Sequence, residues 1–251
     1  LFVNAYGTRN DTKQFYEDIR TLRNDMIIIE DDCLCVPVTR RTNPVENVDL
    51  EFYSTGNSKY VQMPMEGGYG MIRDGFAYNQ IEAPFNENGY DEQLKKIRAC
   101  RRNREQFQYE ENNWLPLASF ISNKLSADDY FREIERRIVI SRNHKQIIDS
   151  IYDEILPNEL RLGEAYNTWR YTLALPSHDM RETVMDALGA ENLYASSHYQ
   201  SAAYLYKHIH CRNTECEADR ILNLFNEEKY SVEMAQRTAE IINEIYKQYD
   251  K

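Results

Sequence analysis

The chain has 251 residues, 42% of them hydrophobic and 28% charged, enough to bury a real core in one large or two modest domains. A formal net charge of -11 and a pI near 5.0 argue against a protein whose main partner is nucleic acid, because that affinity comes from Lys and Arg neutralising phosphates. No run reaches the roughly twenty apolar residues that span a bilayer, and LFVNAYG lacks the basic and hydrophobic regions of a signal peptide, so a cytoplasmic protein with no membrane partner is expected.

Residues 1–90 alternate in the manner of a parallel sheet with crossover helices. Phe2-Val3 begins a short strand that ends at the turn-forming Tyr6-Gly7-Thr8, and Lys13 to Arg23 predicts a helix with Phe15, Ile19 and Leu22 at helical spacing. Met26-Ile27-Ile28-Ile29 is a continuous apolar run, the pattern of a strand buried on both faces, and it stops at Glu30-Asp31-Asp32. Open parallel sheets bind ligands just outside the carboxyl ends of their strands, so acids at that stop are well placed for chemistry. A Pro/Asn-rich loop runs through Pro44, and Val48 to Tyr53 predicts a further strand. Polar residues then lead to Lys59, and Gly67-Gly68 precedes a strand-like Tyr69 to Ile72.

From Asp91 the pattern becomes helical. Leu94 to Arg104 is strongly charged, and Tyr130 to Leu156 spaces Phe131, Ile134, Ile138, Ile147, Ile148, Ile151 and Ile155 as in one long or broken amphipathic helix. Pro157 ends it, since proline removes a donor and clashes with the preceding turn. Trp169 to Leu175 then predicts a strand, Met180 to Leu188 a helix, Ala218 to Leu224 part of a helix, and Val232 to Tyr249 a C-terminal helix. The expected class is α/β: a mostly parallel sheet with helices over residues 1–135, then a smaller α+β domain over 136–251, joined by the long helix.

Three features of the first part fit together: the strand-end carboxylate of Asp31, the Ser-rich loop from Ser54 to Lys59, and the Gly-Gly turn behind it. A lysine amine can form a Schiff base with a carbonyl cofactor, and such a cofactor serves as an electron sink only while a nearby acid keeps its pyridine nitrogen protonated. Lys59 and Asp31 would divide those tasks. On spacing alone, a solvated surface lysine and a helix-capping aspartate fit the same residues.

The order of the pieces adds to this. Val3-Asn4-Ala5-Tyr6-Gly7, then Ile28-Ile29-Glu30-Asp31, then Ser54-Thr55-Gly56-Asn57-Ser58-Lys59, then Gly67-Gly68-Tyr69-Gly70 resembles the DegT-type sugar aminotransferases, pyridoxal 5'-phosphate (PLP) enzymes of fold type I. That family shows a YG turn, an IED strand end, a serine five residues before the cofactor lysine, and a GG turn leading into a strand. Trp169-Arg170-Tyr171-Thr172-Leu173 is similar to its small-domain strand, Ala195-Ser196-Ser197-His198-Tyr199 to its HY segment, and Glu217-Ala218 to an AE pair that opens a helix.

The resemblance covers nearly the whole chain and implies a partial PLP-transferase large domain followed by a small one. It implies Lys59 as the lysine that holds the cofactor and moves the substrate proton, Asp31 as the acid at the pyridine nitrogen, and Ser54 as a hydroxyl at the cofactor phosphate. The implied reaction moves an amino group from an amino acid, usually glutamate, to a keto sugar carried on a nucleotide. The implied assembly is a homodimer with sites built across the interface. There are departures. Leu34 stands where the family usually has a glutamine, and Asn112-Asn113-Trp114-Leu115 does not match its G-x-N stretch. Family members also carry a further stretch before the YG turn, with a helix N-terminus suited to the phosphate. The chain opens at Leu1 rather than Met and resembles the C-terminal two-thirds of such an enzyme. A truncated or diverged non-catalytic relative, acting as an interaction or regulatory subunit, is the second reading.

Other signals read more plainly. His208-Ile209-His210-Cys211 with Cys216 does not have a common zinc spacing, and no metal is expected. The five cysteines are odd in number and scattered, which suggests free thiols. Adjacent strand residues point to opposite faces, so Glu30, Asp31 and Asp32 cannot converge on one ion; Glu30 and Asp32 read as structural or solvent-facing. Arg98, Arg101, Arg102 and Arg104 read as an exposed, salt-bridged helix, and the tyrosines from Tyr194 to Tyr206 as core or interface.

Overall fold

The computed structural model describes residues 1–63, 67–77, 95–97, 99–100, 126–197 and 210–249. Arg98, Arg101, Arg102, Arg104, Asn112-Asn113-Trp114-Leu115, His198-Tyr199 and His208 lie outside the described residues. Four strands, β1 (Phe2–Val3), β2 (Ile29–Asp31), β3 (Leu50–Ser54) and β4 (Gly68–Ile72), form the first sheet in that order. β1, β2 and β3 run parallel, and β4 returns antiparallel to β3. Gly68 is required at that return, because a Cβ there would lie 2.3 Å from the Tyr53 carbonyl oxygen.

Helix α1 (Lys13–Leu22) makes the crossover from β1 to β2. Its buried residue is Tyr16 rather than the expected stripe: Phe15 and Leu22 are exposed. Tyr16 packs with Ile28 and Val48, and the Phe15 ring lies against Phe2 and Tyr16 at the edge of that cluster.

The apolar run 26–29 also departs from expectation. Pairing begins only at Ile29, opposite Leu50, so Met26 and Ile27 precede the ladder and are 42% and 55% exposed. The paired strand is Ile29-Glu30-Asp31, and it buries a glutamate. Neither Glu30 nor Asp32 faces solvent, at 3% and 0% exposure.

Helix α2 (Ala127–Ile155) connects the two sheets. Ser126 caps it by accepting the Asp129 N–H, Asp128 and Asp129 sit favourably in its first turn, and it ends just before Pro157. Its first turns place Tyr130 and Ile134 against Tyr60, Val61 and Met63, and its last turns place Ile148 and Tyr152 in a second, larger core.

That larger core surrounds an antiparallel sheet of β5 (Tyr171–Ala174), β6 (Ala195–Ser196) and β7 (Ile221–Leu224), in the order β5-β7-β6. Helix α3 (His178–Ala190) contributes Met180, Val184 and Leu188, and α5 (Val232–Tyr249) contributes Ala235, Ala239, Ile241 and Ile242. Helix α4 (Arg212–Arg220) ends where β7 begins. The expected helix over 218–224 is therefore corrected: Glu217-Ala218 lies in the last turns of α4, and Ile221 to Leu224 is the central strand, buried along its whole length. A short apolar run between helix-favouring residues carries no periodicity that separates strand from helix.

The fold is α/β, with a mostly parallel sheet and helices. No described helix is long and apolar enough to cross a membrane.

Candidate functional site

Register and pleat divide the first sheet into two unlike faces. Val3, Asp31, Phe52 and Gly70 form one cross-strand row, and Ser54 and Gly68 lie on the same face two residues along β3 and β4. That face is open: Val3 is 49% exposed, Phe52 41%, and Asp31 and Ser54 are half-buried.

The rows on the other face hold Glu30, Glu51, Asn4, Asp32 and Tyr53, all buried. Asn4 Nδ2 donates to both Glu30 Oε1 and Asp32 Oδ1 at 2.6 Å, tying the end of β1 to both neighbours of Asp31. Arg9 pairs with Asp32 at 3.0 Å and Glu51 at 3.6 Å, Arg41 pairs with Glu51, and the Tyr53 hydroxyl donates to Glu51. Burial pushes the Glu30 carboxyl pKa up, with Asp32 adding to the effect. The charged neighbours of Asp31 thus anchor the strand end that presents it.

Because β1, β2 and β3 are parallel, Asp31, Ser54 and the loop to Lys59 lie at the same, carboxyl, edge of the sheet. Asp31 Oδ1 accepts the Cys33 N–H at 2.9 Å, turning the chain away from the strand. Burial pushes the Cys33 thiol pKa up to about 12, with Asp31 adding to the effect and the positive charge of Lys59 opposing it. Ser54 Oγ accepts the Gly56 N–H at 3.4 Å. Among the described residues, the Lys59 ammonium has no hydrogen-bond or ion-pair partner. A cavity of about 240 Å³ opens beside it, lined also by Tyr60, Gln62, Met63, Arg137, Ser141 and Lys145 and by residues 227–229.

Two left-handed turns shape this edge. Tyr6 has φ 61° and Gly7 φ 75°, and a Cβ on Gly7 would lie 2.4 Å from the carbonyl oxygen of Leu34. The YG turn therefore packs directly on the residue that replaces the expected glutamine. Ser58, the residue before Lys59, has φ 58°.

Sequence reasoning did not single out two side chains that meet these turns. Trp169 Nε1 donates to the Ser58 carbonyl at 2.7 Å, and its backbone N–H donates to the Tyr6 carbonyl at 3.2 Å. Lys145 Nζ donates to the Trp169 carbonyl at 2.6 Å and to Asn226 Oδ1 at 2.5 Å, and lies 5.5 Å from the centroid of the Tyr60 ring. Burial drives the Lys145 ammonium pKa down, opposed by Asp149, whose own pKa burial raises. The only sequence signal was a lysine on the face of α2 that carries Ile134, Ile148 and Tyr152.

Elsewhere, His210 Nδ1 lies 3.4 Å from Glu215, which also accepts the Cys211 N–H. Among the described residues, no group of three or more His, Cys, Asp or Glu side chains could hold a metal ion.

No family model and no curated protein matches this sequence. Solved structures do. The DegT DnrJ EryC1 StrS aminotransferase from Brucella abortus is 16% identical with a TM-score of 0.53, covering 96% of this chain and 62% of its own. PseC of Helicobacter pylori, an aminotransferase involved in the biosynthesis of pseudoaminic acid, is 12% identical with a TM-score of 0.58, covering 98% and 66%. NtdA from Bacillus subtilis, with bound cofactor PMP, is 15% identical with a TM-score of 0.56, covering 98% and 56%. At these identities the likeness establishes the fold, which nearly all of this chain shares over roughly half to two thirds of the length of those chains.

Proposed function

We propose that this chain is a PLP-dependent aminotransferase that moves an amino group from an amino acid, with glutamate as the expected donor, to a keto sugar carried on a nucleotide. The observation that carries the reading is the carboxyl edge of the first sheet: Asp31 and Ser54 end neighbouring parallel strands there, and among the described residues the amine of Lys59, five positions on from Ser54, has no hydrogen-bond or ion-pair partner. This donor set fits the cofactor. Asp31 would hold the ring nitrogen, Lys59 the carbonyl carbon and Ser54 the phosphate, and the bound group would supply the electron sink for the substrate carbon.

The chain's own residues then have separate tasks. The Asp31 carboxylate, presented by a strand end tied down through Asn4, keeps a positive charge opposite it. The Lys59 amine would accept the proton from the substrate carbon and return it. Ser54 and the backbone of its loop orient an anionic group. The same reading takes residues 1–135 as the cofactor-binding part and 136–251 as a small domain. It also takes the active form as a cytoplasmic homodimer, which sedimentation of the purified chain checks.

The experiment is a half-reaction. Protein supplied with PLP and given glutamate should release 2-oxoglutarate at about one equivalent per chain without any sugar, and Lys59→Ala should release none. Equal release from both proteins would overturn the reading. Leu34, which stands where the family usually has a glutamine, favours a second reading as a non-catalytic interaction or regulatory subunit. That reading predicts no release from either protein.

A further inference from the structure

Lys59 is gripped on both sides from the C-terminal half of the chain. The residue before it, Ser58, gives its carbonyl to the indole N–H of Trp169 at 2.7 Å across 111 positions of sequence. The ring of the residue after it, Tyr60, lies 5.5 Å from the ammonium of Lys145. The two gripping residues are bonded to each other, Lys145 Nζ to the Trp169 carbonyl at 2.6 Å. Both are buried, Trp169 at 4% exposure and Lys145 at 6%.

Trp169 also spans the two left-handed turns of the edge. Its indole holds Ser58 at φ 58° and its backbone N–H holds Tyr6 at φ 61°. Such conformations are unfavourable for side-chain-bearing residues and persist only where the surroundings fix them. A single residue therefore contacts both turns, beside the Thr8 N–H to Ala5 carbonyl bond that closes the first. A Cβ on Gly7 would lie 3.2 Å from Trp169 Cβ, so the YG turn and the tryptophan are in direct contact as well.

We propose that Trp169 and Lys145 form one positioning unit that holds the backbone on either side of Lys59 and so sets the direction of its amine. This deepens the aminotransferase reading and rests on it for its consequence in catalysis, but the geometric claim concerns the chain without any cofactor. The polar atoms of both residues, Trp169 Nε1 and Lys145 Nζ, bond to other protein groups. They act through Ser58 and Tyr60, as a rigid supporting layer does for a precise site. Lys145 is matched to this work by its other partners: Asn226 takes a second hydrogen bond, and Asp149 and Glu227 offset the like charge of Arg170 nearby.

The test uses the full chain free of PLP. A limiting dose of an acetylating reagent labels lysines, and mass spectrometry gives the ratio of Lys59 to the exposed Lys229 on the same cavity. Trp169→Phe keeps the ring bulk and removes the donor. The ratio should rise on the order of three- to tenfold, the population change that goes with losing one net hydrogen bond. Lys145→Met should raise it too, and the double variant by less than the product, because the two residues act as one unit. Val184→Ala, which loosens the C-terminal core without touching the grip, should leave the ratio unchanged. An unchanged ratio in Trp169→Phe, or an equal change in Val184→Ala, overturns the proposal.

Should the substitutions prevent folding, the native chain still decides. The sequence has two tryptophans, Trp114 and Trp169, so a Trp114→Phe spectrum assigns the Trp169 indole N–H. Slow exchange of that proton supports the bond to Ser58, and exchange as fast as in a free indole refutes it. Failure of native protein to release 2-oxoglutarate would count against the aminotransferase reading and leave these ratios to be judged separately.

Discussion

The two sheets of this molecule are built on opposite principles. The central strand of the second, Ile221 to Leu224, is buried on both faces: Leu222 and Leu224 enter an aliphatic and aromatic core, and Asn223 bonds to its strand neighbours Thr172 and Ser196. The first sheet buries Glu30, Asp32 and Glu51 on one face against Asn4, Arg9, Arg41 and Tyr53, and leaves the other face open around Asp31 and Phe52. Hydrophobic burial, which is non-directional, dominates the second, with one uncharged polar row at Asn223. Charge pairing in the first costs desolvation but specifies where each group points, which is what a strand end that must present a carboxylate requires.

This contrast can be broken most severely in the second sheet. Leu222 is fully buried between the helices, and Leu222→Ala should cost about 2–5 kcal/mol in a denaturant titration through lost contacts and the cavity left behind. A loss under about 1 kcal/mol would mean that this core is not close-packed.

An intermediate effect is expected at Asp49, just ahead of β3, which accepts the Ile28 N–H at 2.8 Å and pairs with Arg20 at 2.6 Å and Arg73 at 2.8 Å. Burial alone would raise its pKa, but the Ile28 N–H and the two arginines outweigh burial and hold it below the ordinary value of 3.8. With the folded value below the unfolded one, its contribution is present above pH 3.8 and is lost as pH falls through the folded value. Asp49→Asn should therefore cost about 1–3 kcal/mol at pH 7 and show a shallower acid limb than the native chain. Identical acid limbs would contradict the assignment.

The smallest effect carries the opposite sign. Glu30 has its folded pKa raised by burial and by Asp32, so the folded chain binds that proton more tightly, and stability falls as pH rises from the ordinary glutamate value toward the folded one. Glu30→Gln keeps an oxygen for Asn4 and removes the buried charge. The variant should be more stable than the native chain at pH 7, by less than Asp49→Asn loses. A loss of stability would show that the charge strengthens the Asn4 bond more than its burial weakens the fold.

The parts legible in the sequence were those with local punctuation. The acid stop at Asp31, the Ser54 to Lys59 loop, the Gly-Gly return into β4 and the Pro157 end of α2 all come from neighbouring residues, and each element stands close to where it was expected. What escaped was set by distant partners. Glu30 and Asp32 read as structural or solvent-facing, and nothing near them in sequence chose between the two; Asn4 and Arg9, held by a separate strand and turn, bury them. β7 read as helix because its four residues follow a helical run without a break. Trp169 read as one more apolar residue entering a strand, since nothing near it in sequence announces an indole bond to Ser58.

The amine of residue 59 is the group on which the proposed chemistry depends. Full-length protein incubated with PLP, reduced with borohydride, digested and mapped by tandem mass spectrometry should carry the pyridoxyl mass on the Lys59 peptide, with Asp31→Ala weakening the label. A label spread over surface lysines such as Lys13 and Lys229, with Lys59 unmodified, would contradict it.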